Sequence, residues 1–152
     1  RQERIRDYES NLAGLALDGL YLKARLYATV PHENVNPNVI PFDVDGFPAK
    51  LVSEILAQEY GIGTRAGSFC TYELIRKLKG ISPEEDARIA EEVGRGITAN
   101  IPSVARASFS IYNNPEDVKR LVNAVNEISG NGVRYYEQKY KMDARTGNWS
   151  AK

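Results

Sequence analysis

The sequence predicts an α+β domain, with helices packed on a mostly antiparallel sheet. Three observations lead there. Residues 39–44 and 104–111 alternate apolar and polar side chains, as half-buried strands do. Five stretches carry apolar residues at helical spacing, and Ser82 and Asn114 open two of them as N-caps. The order is helix, strands, helix, strand, helices, strand, helix, strand, with little of the regular strand–helix–strand repetition that builds parallel sheets.

Residues 2–16 form the first helix, with Ile5, Tyr8, Leu12 and Leu15 on one stripe; Gly19 weakens the helix beyond it. Residues 25–28 read as a short strand. Residues 31–37, rich in Pro and Asn, are loop, and His32 reads as a solvated loop histidine. In 39–44, Ile40, Phe42 and Val44 share a face. Asp45-Gly46 is a turn, and Pro48 suits the first position of a helix striped by Leu51, Val52, Ile55 and Leu56 and stopped by Gly61. Residues 62–65 are a short strand entering the loop 65–70. A short helix follows over 72–78, with Tyr72, Ile75 and Leu78 in phase. Ser82-Pro83-Glu84-Glu85 is a capping box with Pro at the first helical position, opening a helix over 83–94. In the strand 104–111, Ala105, Ala107, Phe109 and Ile111 share one face, opposite Val104, Arg106, Ser108 and Ser110. Asn114 and Pro115 open the last long helix, with Val118, Leu121, Val122, Val125 and Ile128 as its core stripe and Gly130 as its end. Residues 133–142 read as a Tyr-rich edge strand, 145–148 as a turn, and the final residues as frayed.

The totals narrow the function. A chain of 152 residues suffices for one domain with a real core, and 20 Lys+Arg balance 20 Asp+Glu. That balance lacks the basic footprint of a nucleic-acid binder. No apolar run reaches the length of a membrane span. One cysteine and one histidine make a zinc site of those residues implausible, and a lone cysteine suits a reducing cytoplasm. No Walker A run, no GxGxxG and no Ser-His-Asp arrangement is present.

The run Gly63-Thr64-Arg65-Ala66-Gly67-Ser68-Phe69-Cys70 is the chemical centre of the sequence. An arginine five residues before a cysteine can hold a carboxylate with two N–H groups and favour the reactive thiolate. The plainer reading is a small buried apolar cysteine. Arg106 is similarly open. Its strand face, with two serines, could line a polar cleft, but alternation alone favours an ordinary solvent-facing arginine.

Three blocks resemble a known family. They are Phe42-Asp43-Val44-Asp45-Gly46-Phe47-Pro48, the stretch Leu56-Ala57-Gln58-Glu59-Tyr60-Gly61-Ile62 running on into the Gly63-to-Cys70 run, and Val104-Ala105-Arg106-Ala107-Ser108-Phe109-Ser110-Ile111-Tyr112-Asn113. In this order they resemble the C-terminal small domain of the class V aminotransferases, fold-type I pyridoxal phosphate enzymes, and most closely the cysteine desulfurase and selenocysteine lyase branch. The likeness covers roughly residues 38–130.

The resemblance implies roles. Arg106 matches the arginine that binds the substrate α-carboxylate, which outweighs the plain reading of its strand. Cys70 matches the loop cysteine that attacks the substrate sulfur and carries the persulfide. Arg65 matches the arginine opening that loop, supporting it and the anionic substrate. Tyr112-Asn113 match a turn of structural character. The implied parent is a cytoplasmic homodimer that uses pyridoxal phosphate to convert L-cysteine into alanine and an enzyme persulfide. The family's Schiff-base lysine, ring-stacking residue and pyridine-nitrogen aspartate belong to a large domain. The whole of 1–152 is therefore expected to be one small domain whose cofactor domain lies upstream, with the cofactor-binding residues unknown and expected in that domain, and no pyridoxal phosphate on this chain alone. An opening of Arg1-Gln2-Glu3-Arg4, already helical and without Met, reads as excised from something longer; proteolytic maturation or tag removal is the duller explanation. Phe69 stands where the family usually has His or another small polar residue before the cysteine, Thr71 where it has Ala after it, and 78–103 is longer than in compact bacterial enzymes. Two alternatives stay open: an enzyme of the same fold acting on another amino acid, with Cys70 a bystander, and a non-catalytic interaction domain.

Overall fold

A four-stranded sheet in the order β1-β2-β4-β3 organises the chain: β1 is Arg25–Leu26, β2 Val39–Asp43, β3 Arg65–Gly67 and β4 Val104–Ser108. The structure is a computed structural model that describes residues 2–27 and 38–152; Ala28, His32 and the loop 31–37 lie outside the described residues. Every neighbouring pair is antiparallel. Strands β2 and β3 both oppose β4, so they run parallel to each other with β4 between them. With the connecting helix α2 (Ala49–Tyr60) they form one split strand–helix–strand unit. The fold is α+β, as the element order predicts.

Alternation decides which face is dry. Ile40, Phe42, Ala105 and Ala107 are buried beneath helices α1 (Gln2–Leu20), α2 and α5 (Pro115–Asn131). The stripe Leu51, Val52, Ile55 and Leu56 is fully buried, and Gly61 ends α2 in the left-handed conformation at φ 65°. Asn114 caps α5 with a reciprocal capping box closed by Asp117. Ser82 caps helix α4 (Pro83–Gly94) by accepting from the Glu85 N–H at 3.2 Å.

Several expectations are corrected. The stripe of α1 is displaced: Leu12, Ala13, Ala16 and Leu20 are buried, whereas Ile5, Tyr8 and Leu15 are exposed. The helix also runs through Gly19 to Leu20, and the position needs glycine because a Cβ there would lie 2.6 Å from Val122 Cγ2 of α5. Small residues face α5 and let the two helices approach closely. Pro48 is the N-cap of α2 rather than its first residue. The strand expected at 62–65 forms instead at Arg65–Gly67, where β4 offers a partner. Helix α3 occupies Tyr72–Leu78 as expected, but only Ile75 is buried. Strand β4 stops at Ser108, leaving Ile111 exposed, and Val104 is fully buried on the supposedly wet face.

The C-terminal part differs most. Helix α5 passes Gly130 and ends at Gly132. Residues 133–142 are then helix α6 (Val133–Glu137) followed by strand β5 (Tyr140–Met142), not one strand. Tyr136 is buried and meets Phe47 edge-on, with ring centroids 6.0 Å apart. The last residues do not fray: Trp149–Ala151 forms β6 and pairs with β5. Lys139 and Tyr140 both bond Glu59, and Lys50 donates to the Thr146 carbonyl at 2.6 Å, tying this hairpin to α2.

Candidate functional site

Strand β4 is central, so Arg106 rises from the middle of the sheet's open face. Its register partners are Pro41 on β2 and Arg65 on β3. Directly opposed residues share a face with Cβ atoms about 5 Å apart, and like charges there repel. Arg106 is half-buried and Arg65 exposed. The Arg106 Nε is buried and has no hydrogen-bond partner. A guanidinium N–H without an acceptor is costly unless an acceptor arrives.

The next turn supplies the contact that both arginines share. Ser68 O accepts from the Thr71 N–H at 2.8 Å and the Thr71 hydroxyl at 2.7 Å, closing a tight turn. Its central residues, Phe69 at φ 51° and Cys70 at φ 61°, are both left-handed. For L-residues that conformation costs about 1–2 kcal/mol each. The turn swings the Phe69 ring over the sheet face: Arg106 Cζ lies 4.4 Å and Arg65 Cζ 5.6 Å from its centroid. Cys70, the next residue, is exposed. The structure thus gathers Arg65, Arg106 and Phe69 and carries the Cys70 thiol on the adjoining residue. The sequence signal for Phe69 was an aromatic residue between Arg65 and Cys70; nothing local set its direction.

Asp43 marks the other end of the same face. Its Oδ2 accepts from the Tyr27 hydroxyl at 2.7 Å and pairs with Lys79 at 2.6 Å, while its Oδ1 is buried without a partner. Burial, then the bond to Asp43, pushes Tyr27 up to about 12. This cluster fastens the end of α3 to the sheet. Asn113 is also structural, since its side-chain oxygen accepts from the Ser110 N–H at 3.0 Å and its carbonyl from Tyr8 at 2.7 Å. Tyr112 beside it is exposed. A cleft of about 180 Å³ lies between the end of α2 and the start of α5, lined by Thr64, Ser108, Asn113, Asp117 and Arg120 among others. None of Arg65, Cys70 and Arg106 lines it, so the candidate chemistry sits on the open sheet face.

Among the described residues no group of three His, Cys, Asp or Glu could hold a metal ion. Pyridoxal phosphate needs a lysine amine free to form an imine and a cluster of phosphate donors. Lys79, Lys119 and Lys139 are paired with Asp43, Glu116 and Glu59, and Lys50 and Lys152 donate to backbone carbonyls. Lys23, Lys77 and Lys141 are exposed, and none of the eight lysines lines the cleft between α2 and α5. Among the described residues no helix is long and apolar enough to cross a membrane.

A sequence model of the aminotransferase class-V family matches residues 1–121. The chain is 33% identical over 125 residues to a probable cysteine desulfurase of Halobacterium salinarum, covering 82% of this chain and 25% of that protein. It is 32% identical over 126 residues to a cysteine desulfurase of Serratia proteamaculans, covering 83% of this chain and 25% of that protein. Among solved structures it is similar to the cysteine desulfurase CsdA (S-sulfonic acid) of Escherichia coli, with TM-score 0.57 and 27% identity over 80% of this chain and 24% of that one. The apo cysteine desulfurase of Thermococcus onnurineus shares the fold, with TM-score 0.64 and 24% identity over 84% of this chain and 26% of that one. The chain spans about a quarter of the length of the relatives it matches.

Proposed function

We propose, from the premise that this chain belongs to the class-V aminotransferase family, that it is the substrate domain of a pyridoxal phosphate-dependent, cysteine desulfurase-like enzyme. The observation that carries this reading is the central Arg106, with a buried, acceptor-less Nε and Arg65 directly across the ladder. A planar guanidinium fork suits the α-carboxylate of an amino acid. A companion cofactor domain, which we place upstream in a homodimeric parent, brings pyridoxal phosphate and with it the electron sink for the reaction.

The work of this chain is then to bind and to attack. Arg106 takes the carboxylate, and Arg65 adds positive charge beside it. Cys70, exposed in its turn, presents a thiolate to the sulfur of L-cysteine. A sulfur–sulfur bond forms to Cys70 Sγ as the substrate's carbon–sulfur bond breaks, leaving a Cys70 persulfide and, after protonation, alanine. The test is the full-length enzyme with L-cysteine. Cys70→Ser is expected to abolish persulfide and alanine formation while L-cysteine still alters the cofactor's absorbance. Unchanged turnover in Cys70→Ser would leave Cys70 a bystander.

The bystander reading has its own support, since Phe69 precedes the thiol in place of His or a small polar residue and Thr71 follows it in place of Ala. Turnover of a different amino acid by Cys70→Ser favours it. A polypeptide that lacks any cofactor domain and turns over nothing favours the third reading, a non-catalytic interaction domain.

A further inference from the structure

Two guanidinium groups face each other across adjacent strands, and no ion pair among the described residues includes either. Their shared neighbour is the Phe69 ring. We propose that Phe69 is a positioning residue for the anion site: its ring holds the Arg106 guanidinium by one face, so that the N–H edge stays turned toward the incoming carboxylate. This rests on the assignment of Arg106 and Arg65 to the substrate's carboxylate.

The geometry carries the inference in three ways. At 4.4 Å from the centroid, Arg106 Cζ is at stacking distance, nearer than Arg65 Cζ at 5.6 Å. A ring on the face leaves the edge open, and a carboxylate bonds the edge in the guanidinium plane. Stacking and anion binding therefore coexist. Second, the ring reaches this place only because Phe69 and Cys70 take left-handed backbone conformations at φ 51° and φ 61°. Such conformations persist where surrounding contacts hold them and gather at functional sites. Third, the Arg106 Nε is buried without an acceptor, so one guanidinium N–H is left unpaired in the free chain. An unstacked arginine would have to give up side-chain freedom on binding; a stacked one has lost much of it beforehand. An alkyl side chain at 69 would fill space but supply no negative ring face.

The test uses this chain, labelled with nitrogen-15. The Arg106 Nε–Hε resonance is followed by NMR as sodium acetate is added, with sodium chloride at matched ionic strength as the control. The free Hε is expected upfield, displaced by the ring, and to remain so when acetate saturates; acetate should shift it further than chloride does. Phe69→Leu should weaken acetate binding about two- to fivefold, the range an exposed cation–π contact supports. Phe69→Tyr and Phe69→Trp should keep the wild-type affinity. Three results would each overturn the proposal: an acetate response equal to that of chloride, a ring displacement that disappears as acetate binds, or wild-type affinity in Phe69→Leu. Should the leucine variant not fold, the wild-type titration and the tryptophan variant decide. All of this is read without cofactor. Loss of the desulfurase reading in the full-length enzyme, with ring-dependent acetate binding intact here, would remove that reading alone.

Discussion

At the residue scale, Arg106 is defined by what it lacks. It occupies the centre of a sheet, carries a buried N–H without an acceptor, and has an aromatic ring in place of a carboxylate. A residue serving only stability would be expected to find an acidic partner, as Lys79 does in Asp43. Arg106→Lys keeps the charge and loses the planar fork. In the full-length enzyme kcat/KM for the amino acid should fall at least about tenfold, since a charge-assisted hydrogen bond is worth about 1.5–3 kcal/mol. Unchanged kcat/KM would remove Arg106 from the carboxylate site. The urea midpoint of the isolated chain should hardly move, because lysine keeps a cation beside the Phe69 ring and no hydrogen bond is lost at Nε.

At the element scale, two glycines of α1 make opposite predictions. Nothing lies within 4 Å of a Cβ built on Gly14, whereas one on Gly19 would sit 2.6 Å from Val122 Cγ2. Gly14→Ala should stabilise the chain by about 0.5–1 kcal/mol through helix propensity alone. Gly19→Ala gains the same propensity but overpacks the α1–α5 contact, at about 1–3 kcal/mol. Its net effect is destabilisation of about 1 kcal/mol in urea unfolding. Adding Val122→Ala should recover part of that loss, a coupling that a double-mutant cycle reads directly. A stabilised Gly19→Ala would mean that the helices do not approach as closely as described. At the start of α5, Asn114 accepts from the Glu116 and Asp117 N–H groups at 2.8 and 3.2 Å. Asn114→Ala should cost about 1 kcal/mol, since it also ends the capping box.

At the scale of the whole molecule, tyrosines fasten the periphery to the core. Burial raises Tyr60 and pushes Tyr27 and Tyr140 up to about 12, with Asp43 and Glu59 adding to the last two. Tyr72 is raised to about 12 chiefly by its hydrogen bond to Asp86. Four of the nine tyrosines therefore hold their protons well above the ordinary value of 10.0. A pKa raised on folding stabilises the protein below the unfolded value, and that contribution is lost as pH climbs through the folded value. Stability should thus be held up to about pH 10 and decline toward pH 12, with tyrosinate absorbance rising late and together with unfolding. Absorbance in which all nine tyrosines titrate near 10 would contradict these contacts. The lysines make a second prediction at this scale, since five are engaged with acceptors and Lys23, Lys77 and Lys141 lie exposed on the surface. Mixing the chain with pyridoxal phosphate should give no stoichiometric, borohydride-trappable adduct on one lysine, and such an adduct would overturn the assignment of the cofactor to a companion domain.

The parts legible in the sequence are those whose physics is local. Alternation placed Ile40, Phe42, Ala105 and Ala107 on the dry face, and capping chemistry located Ser82, Asn114 and Gly61 at helix ends. Each depends on neighbours within one turn or one pleat. The family blocks likewise give the class-V resemblance, because a motif is an ordered run of residue types. What tertiary structure alone decided involves partners distant in the chain. The buried face of α1, Leu12, Ala13, Ala16 and Leu20, is the one packed against α5 and β2, partners that no spacing within the helix encodes. The start of β3 at Arg65 follows from pairing with β4, and that pairing sets the two arginines opposite each other. Residues 133–142 split into helix and strand because Tyr136 and Tyr140 are buried at different places and β6 offers β5 a partner. The ring of Phe69 over Arg106 needs a left-handed turn whose cost only the assembled sheet face can offset.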